Sequence, residues 1–143
     1  IANSGVRYKT TLIDKIMSYS QDKVIKQSKP EIVDTVKLDD NVINQVKKGM
    51  LSVTEDGTGS RVFADYPITV GGKTGTAETT TGADHTVFIA FAPYENPEIA
   101  VAVIIEHGKY SSYSGGLLKS IFNAYFFTEL QNQTEAPSYE LLP

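Results

Sequence analysis

The stretch VGGKTGTAE occupies residues 70–78, and the interpretation of the whole chain starts from it. Two glycines precede Lys73, and three of the six residues from Thr74 to Thr79 are threonine, a composition that favours a strand over a helix. Residues 80–84, TTGAD, have the composition of a turn. The pattern predicts a strand over residues 73–79.

The triplet Gly72-Lys73-Thr74 also occurs in phosphate-binding loops, which is a different function. Such a loop has a glycine five residues before the Gly-Lys pair, and that position is Pro67. A helix must also follow Lys-Thr directly, whereas residues 75–81, GTAETTT, form helices poorly. The sequence therefore argues against a phosphate-binding loop.

Two further apolar stretches, residues 87–92 and 99–106, follow in the sequence. The turn sequence PYENP separates them at residues 93–97, so the three stretches are expected to form an antiparallel meander. Both alternating sets of side chains in residues 99–105 are apolar, which predicts that helices or other layers cover both faces of that strand. The predicted fold class is α/β (α+β), an antiparallel sheet covered by helices.

Helices are predicted on either side of the meander. Asp39 is a good N-cap, and Leu38 and Ile43 have the spacing of a hydrophobic staple. Apolar residues then recur at helical spacing as far as Val53, and the GTGS sequence at residues 57–60 ends the pattern in a loop. This region predicts an amphipathic helix that begins after Asp39.

The two ends of the chain are predicted to have different structures. Residues 111–116 begin a last helix, whose apolar stripe at residues 117–126 is expected to pack on the sheet. Residues 131–143 are polar and proline-marked, which predicts a disordered tail. Near the start, the polar residues 20–23 precede Val24-Ile25 and predict a hairpin.

Composition argues against several classes of function. The 143 residues fit one domain or a large piece of one, and the net charge of −4 with no basic cluster argues against a nucleic-acid partner. There is no cysteine, which removes disulfides and thiol chemistry. His85 and His107 lie far apart in the sequence, so neither a metal nor a cofactor is predicted. Residues 99–105 are the longest strongly apolar stretch and are too short to span a bilayer.

The residue types from Lys73 to Thr76 suit acyl transfer from a substrate that carries a carboxylate. Lys73 supplies positive charge and can help to move a proton. Threonine hydroxyls can bind a carboxylate, and Gly75 leaves room for a substrate to lie along the strand. A backbone N–H of the strand can hold the oxyanion of a tetrahedral intermediate. Serine acyltransferases that recognise penicillin carry the same Lys-Thr-Gly triplet.

Five segments in the same order resemble the transpeptidase domain of class B penicillin-binding proteins. These are residues 1–5 (IANSG, against the family's IANGG), 49–59 (a helix and a Gly-Thr-Gly loop), 70–78, 87–93 (VFIAFAP) and 99–116. The chain departs from the family where Val87-Phe88 and Ala90 replace a Trp-Phe pair and a glycine. The likeness covers residues 1–127.

This resemblance implies the penicillin-binding transpeptidase or serine β-lactamase-like fold, of which this chain is the C-terminal portion only. Residues 1–127 would belong to the transpeptidase domain and residues 128–143 to a C-terminal tail. The implied activity is a peptidoglycan D,D-transpeptidase that cross-links stem peptides through a serine acyl-enzyme. β-Lactams would be trapped as slow acyl-enzymes.

The resemblance also implies that residues 73–76 lie extended along a sheet edge, and it implies roles for four residues. Lys73 supplies positive charge and takes part in the proton relay. The hydroxyls of Thr74 and Thr76 bind the terminal carboxylate of the donor peptide or the β-lactam. Thr76 contributes its backbone N–H to the oxyanion hole, and Gly75 lets the substrate approach. Lys73 and Thr76 are the predicted catalytic residues, and Thr74, Gly75 and Thr76 are predicted to bind substrate.

The serine nucleophile of that family is not identified in this chain. A Ser-x-x-Lys string occurs at Ser20 and Lys23, but in a polar stretch expected to be a turn, whereas the family's nucleophile lies upstream of IANGG. No Ser-x-Asn string occurs, and Tyr94-Glu95-Asn96 follows the Lys-Thr-Gly strand instead of preceding it. Both partial matches are interpreted as turns.

We therefore expect an upstream fragment of the same protein to carry the nucleophile, and this chain alone to be inactive. The missing initiator methionine also suggests a processed or excised segment. By the resemblance, the full-length protein is membrane-anchored and acts on the extracytoplasmic face of the bacterial cell membrane.

Two other functions remain open at this point. One is a penicillin-recognising sensor domain, a binding module that acylates without turnover. The other is a β-lactamase, which hydrolyses the acyl-enzyme. The Gly-Thr-Ala-Glu sequence after the lysine favours the transpeptidase.

Overall fold

The computed structural model describes residues 1–132, with side chains to residue 128, as two compact units. The first unit is Ile1–Gln45 and the second begins at Val46. The elements are β1 (Val6–Tyr8), β2 (Lys15–Met17), β3 (Val24–Gln27), β4 (Ile32–Thr35), α1 (Asp40–Glu55), α2 (Ser60–Phe63), β5 (Gly71–Ala77), β6 (His85–Ala92), β7 (Ile99–Ile105) and α3 (Ser111–Asn132).

The first unit contains two antiparallel ribbons, one of β1 with β4 and one of β2 with β3. In the second ribbon Lys15 pairs with Gln27, and the turn is closed by a hydrogen bond from the Ser18 N–H to the Lys23 carbonyl at 2.8 Å. This ribbon confirms the hairpin predicted around residues 20–25.

Helix α1 begins where its capping residue predicts. The Asp39 carboxylate accepts hydrogen bonds from the backbone N–H groups of Asn41 at 2.9 Å and Val42 at 3.4 Å, and so satisfies two donors that a helix start leaves free. The helix ends at Glu55, before the Gly57–Gly59 loop. The predicted helix is confirmed, although Val42 of its apolar stripe is exposed.

The second unit is built on a three-stranded antiparallel sheet in the order β5-β6-β7. Thr74 lies opposite Phe88, which in turn lies opposite Val103. The predicted meander is confirmed. Its first strand starts two residues earlier than predicted, because Gly71 and Gly72 pair with β6 instead of forming a separate loop.

Helix α3 covers the sheet face that carries Phe88 and Val103. Phe88, Leu118 and Phe122 are buried here, each contributing about 1.5–3 kcal/mol by removal from water. Phe63 of α2 meets the Phe88 ring edge to face, with centroids 5.8 Å apart. Tyr66 borders this cluster, and burial raises the pKa of its hydroxyl. The predicted packing of the last helix on the sheet is confirmed.

The prediction that both faces of the third strand are covered is wrong for the residues that the structure describes. Ile104 of β7 is 66% exposed and Ile89 of β6 is 43% exposed, and both lie on the face opposite α3. Only α3 packs on β7 within the second unit, and one helix layer covers one face. On the opposite face, the β6 side chain of Phe91 is buried and Tyr94 stacks on it.

Two further predictions concern the C-terminal tail and a helix that could span a membrane. The predicted tail from residue 128 begins within this helix, and residues 133–143 lie outside the described part of the chain. Among residues 1–132, no helix combines the length and the apolar character that a bilayer crossing requires.

We expect Gly72→Ala to destabilise the protein by about 1–3 kcal/mol, because a Cβ there would lie 2.8 Å from the Phe88 ring. Gly116→Ala is the matched control, since Gly116 is in α3 and a Cβ there meets nothing within 4 Å. In that helix alanine should be neutral or stabilising by about 0.5–1 kcal/mol. Urea unfolding followed by circular dichroism measures both, and equal midpoints for the two variants would contradict this packing.

Candidate active-site strand

The four residues from Lys73 to Thr76 lie extended in β5, at one edge of the three-stranded sheet. One side of β5 pairs with β6 along its whole length. Its other side has no partner strand among the residues that the structure describes. The predicted geometry, an extended edge strand instead of a helix start, is confirmed.

Side chains of β5 alternate between the two faces of the sheet. Thr74 and Thr76 share the face of Phe88, and Lys73 and Gly75 lie on the opposite face. Thr76 and Lys73 are exposed, and Thr74 is half-buried. The Lys73 ammonium donates a hydrogen bond to the Thr74 carbonyl oxygen at 2.5 Å. The strand thus presents a cation from one face and two hydroxyls from the other.

The three glycines of β5 differ in whether the surrounding residues leave room for a side chain. A Cβ on Gly71 would lie 2.5 Å from the Phe91 ring, and one on Gly72 would lie 2.8 Å from the Phe88 ring, so packing requires both to be glycine. A Cβ on Gly75 would lie 3.5 Å from Val87, which is ordinary van der Waals contact. Internal packing therefore does not account for Gly75.

Thr58 joins the strand residues through a contact that sequence reasoning missed. Its hydroxyl lies 2.7 Å from the hydroxyl of Thr74. Thr58 is the middle residue of the Gly-Thr-Gly loop after α1, to which the sequence analysis gave a place in the family resemblance but no role in the site. The neighbouring glycines were a usable signal, because they allow a loop to approach another backbone closely.

Ser20 and Lys23 lie in the turn of the β2–β3 ribbon, as predicted. The Asp22 carboxylate accepts hydrogen bonds from the hydroxyls of Ser18 and Ser20, both at 2.6 Å, and these bonds hold the pKa of Asp22 below its usual value. The Ser20 hydroxyl is therefore committed to a turn contact, and no helix places it one turn from Lys23.

The two histidines are distant in sequence but close in space. The centroids of the His85 and His107 rings are 4.9 Å apart, and the backbone N–H of His107 donates to Nδ1 of His85 at 2.9 Å. Nδ1 of His107 lies 2.8 Å from the Ala83 carbonyl oxygen. These contacts join the start of β6, and the turn before it, to the turn after β7. In the described residues, no group of three or more histidine or acidic side chains could hold a metal.

Comparisons with known proteins identify the family. The family model described as penicillin binding protein transpeptidase domain matches residues 1–126. Penicillin-binding protein 2A of Bacillus subtilis (strain 168) is 28% identical over 145 residues, covering 88% of this chain and 20% of that protein. Penicillin-binding protein 2B of Streptococcus pneumoniae (serotype 2, strain D39) is 31% identical over 140 residues, covering 87% of this chain and 20% of that protein.

Solved structures agree with this match. Penicillin-binding protein 2B from Streptococcus pneumoniae (strain R6) superposes with a TM-score of 0.73 at 25% identity, over 97% of this chain and 24% of that one. The D,D-transpeptidase domain of a peptidoglycan glycosyltransferase from Eggerthella lenta gives 0.69 at 28% identity, over 87% of this chain and 30% of that one.

The sheet, its edge strand and the covering helix thus define a penicillin-binding transpeptidase fold. This chain belongs to the penicillin-binding protein transpeptidase domain family, and its relatives confirm the resemblance to class B members. It spans about a fifth of the length of the curated relatives it matches.

Proposed function

We propose that this chain forms part of the active site of a peptidoglycan D,D-transpeptidase that cross-links stem peptides and is inhibited by β-lactams. The observation that carries the proposal is the edge strand β5, whose lysine, glycine and threonines lie along a strand side that no other described strand pairs with. The family membership supports the same activity, and relatives such as the MrdA protein of Escherichia coli (strain K12) are named peptidoglycan D,D-transpeptidases.

In this proposal the side chains of β5 bind the anionic end of the substrate. Thr74 and Thr76 lie on one face of the strand, and their hydroxyls donate hydrogen bonds to the terminal carboxylate. The exposed Lys73 ammonium adds positive potential and helps to move the proton. Gly75 lets the substrate backbone lie against the strand. This role agrees with the finding that packing inside the protein does not require a glycine at position 75.

The backbone of β5 supports a role for Thr76 in the oxyanion hole. The Thr74 carbonyl accepts a hydrogen bond from the Lys73 ammonium, and we take this carbonyl to face the open edge of β5. In an antiparallel strand the N–H and C=O of one residue face the same side, and residues two apart repeat that direction. The N–H of Thr76 is thereby directed to the open edge, where it can stabilise the negative oxygen of a tetrahedral intermediate.

We propose that the serine nucleophile comes from an upstream segment of the same protein, and that this chain alone is inactive. The Ser20 hydroxyl is held by Asp22, and the chain spans about a fifth of its relatives' length. The exposed Ile104 and the unpaired edge of β5 support further polypeptide beside this sheet. The full-length protein would be anchored in the membrane and act on its extracytoplasmic face.

The reaction proceeds in two steps. The serine oxygen attacks the carbonyl between the last two D-alanine residues, the C–N bond breaks, and the proton of the serine passes to the nitrogen of the terminal D-alanine, which leaves as the free amine. The amine of a neighbouring stem peptide then attacks the acyl-enzyme and releases the serine. A β-lactam acylates the same serine, but its opened ring stays attached and blocks the second step. The names of the relatives reported above favour this reaction over a sensor or a β-lactamase.

The requirement for an upstream segment can be tested with a fluorescent penicillin. The chain alone should show no covalent label after gel electrophoresis, because acyl transfer needs nucleophile and oxyanion donors in one site. The intact protein should be labelled on the upstream segment, and excess unlabelled penicillin should block the label. A stable label on this chain alone would contradict the proposal.

Lys73→Ala in the intact protein should lower the second-order rate of acylation by about 100-fold or more, because the proton relay and the positive potential are lost. Stopped-flow or time-resolved labelling with a penicillin measures the rate. Lys48→Ala is the matched control, since Lys48 is an exposed lysine of α1 away from β5. An unchanged rate for Lys73→Ala would remove this residue from the mechanism.

A further inference from the structure

We propose that Thr58 is a positioning residue that orients the Thr74 hydroxyl for the substrate carboxylate. The proposal rests on the proposed function, and it concerns a residue outside the Lys-Thr-Gly strand. Its basis is the 2.7 Å contact between the Thr58 and Thr74 hydroxyl oxygens.

The loop that carries Thr58 is held in place on both sides of this residue. The N–H of Gly57 donates to the Ser52 carbonyl and the N–H of Gly59 donates to the Val53 carbonyl, both at 2.8 Å. These bonds anchor the loop to the last turns of α1. Thr58 is therefore presented from a fixed backbone, which is what a positioning residue requires.

The loop is also packed against the sheet beneath β5. A Cβ on Gly59 would lie 3.0 Å from the Phe88 ring, and a Cβ on Gly72 would lie 2.8 Å from the same ring. The Thr54 hydroxyl at the end of α1 donates a hydrogen bond to the Val70 carbonyl just before β5. The distance between loop and strand is thus set by packing and by a buried hydrogen bond, independently of the two threonine hydroxyls.

The number of hydroxyl protons decides which of the two threonines donates to the other when substrate binds. A threonine hydroxyl has one proton to donate. If Thr74 gives that proton to a carboxylate, it can still accept, and Thr58 must then be the donor in their contact. The resulting chain runs from the Thr58 O–H to the Thr74 O–H to the carboxylate, and each bond polarises the next.

Thr58 would act only through Thr74 in this arrangement. With Thr58 as donor, the rotation of the Thr74 hydroxyl is restricted to directions that point its proton to substrate. Without the Thr58 hydroxyl, Thr74 keeps its oxygen but loses this restriction and the polarisation. The effect should therefore depend on a substrate carboxylate and on the presence of the Thr74 hydroxyl.

The test uses the intact protein and the rate of acylation by benzylpenicillin and by its methyl ester, which lacks the anionic carboxylate. Thr58→Val removes the hydroxyl with little change in shape, Thr58→Ser keeps it, and Thr74→Val removes the partner. Thermal unfolding midpoints of all variants show whether the loop remains folded.

With benzylpenicillin, Thr58→Val should slow acylation by roughly 3- to 10-fold and Thr74→Val by roughly 10- to 100-fold. Thr58→Ser should restore the rate to within about twofold, because its hydroxyl makes the same bond. The double variant should acylate at the rate of Thr74→Val alone. With the methyl ester, Thr58→Val and the unmodified protein should acylate at similar rates.

Three results would overturn the positioning role. The first is an unchanged acylation rate for Thr58→Val with benzylpenicillin. The second is an equal fold-loss of the acylation rate when Thr58→Val reacts with the methyl ester. The third is a double variant whose loss of rate is the product of the two single losses. If Thr58→Val lowers the unfolding midpoint strongly and Thr58→Ser does not restore the rate, the residue is structural. Failure of the proposed function is distinguished by the fluorescent penicillin, since an intact protein that takes no covalent label whatever residue stands at position 58 would contradict the active site itself.

Discussion

The packing of one aromatic ring, Phe88 of β6, controls how the second unit is assembled. Glycines from three separate segments approach this ring: Gly59 from the loop after α1, Gly72 from β5 and Gly115 from α3. The ring of Phe63 closes the cluster edge to face. Because none of the three glycine positions has room for a side chain without displacement, the loop, the strand and the helix are held at fixed distances from one another.

This constraint leaves the edge strand β5 firmly placed and still open to a ligand. Pairing with β6 occupies one side of the strand, and packing on Phe88 fixes its start at Gly72, whereas Thr76 further along stays exposed. The remaining side keeps its backbone donors and acceptors free of strand partners among the described residues. An extended peptide can use such groups, as in other cases where a substrate aligns with a sheet edge. The same packing brings the Thr58 hydroxyl to Thr74, so the polar contact depends on the apolar one.

Much of the fold was predictable because its signals are local. Threonines and β-branched residues favour strands, PYENP separates two of them, and Asp39 caps the helix that follows it. The location of Lys73 in an extended strand could also be predicted, since its neighbours form helices poorly. The error on β7 has a physical cause, because an apolar side chain such as Ile104 favours burial but does not indicate which segment would cover it.

The residues alone established the order of α1, the three meander strands and α3, the Lys73–Thr76 segment and the family resemblance, since these depend on composition and on motifs within short stretches. Two features needed the tertiary structure: Gly75 is free of the packing that constrains Gly72, and Thr58 meets Thr74 across 16 positions of sequence. Each of these is a distance between segments that are remote along the chain. Such distances are set by how side chains such as Phe88 fill the core, and no local pattern records them.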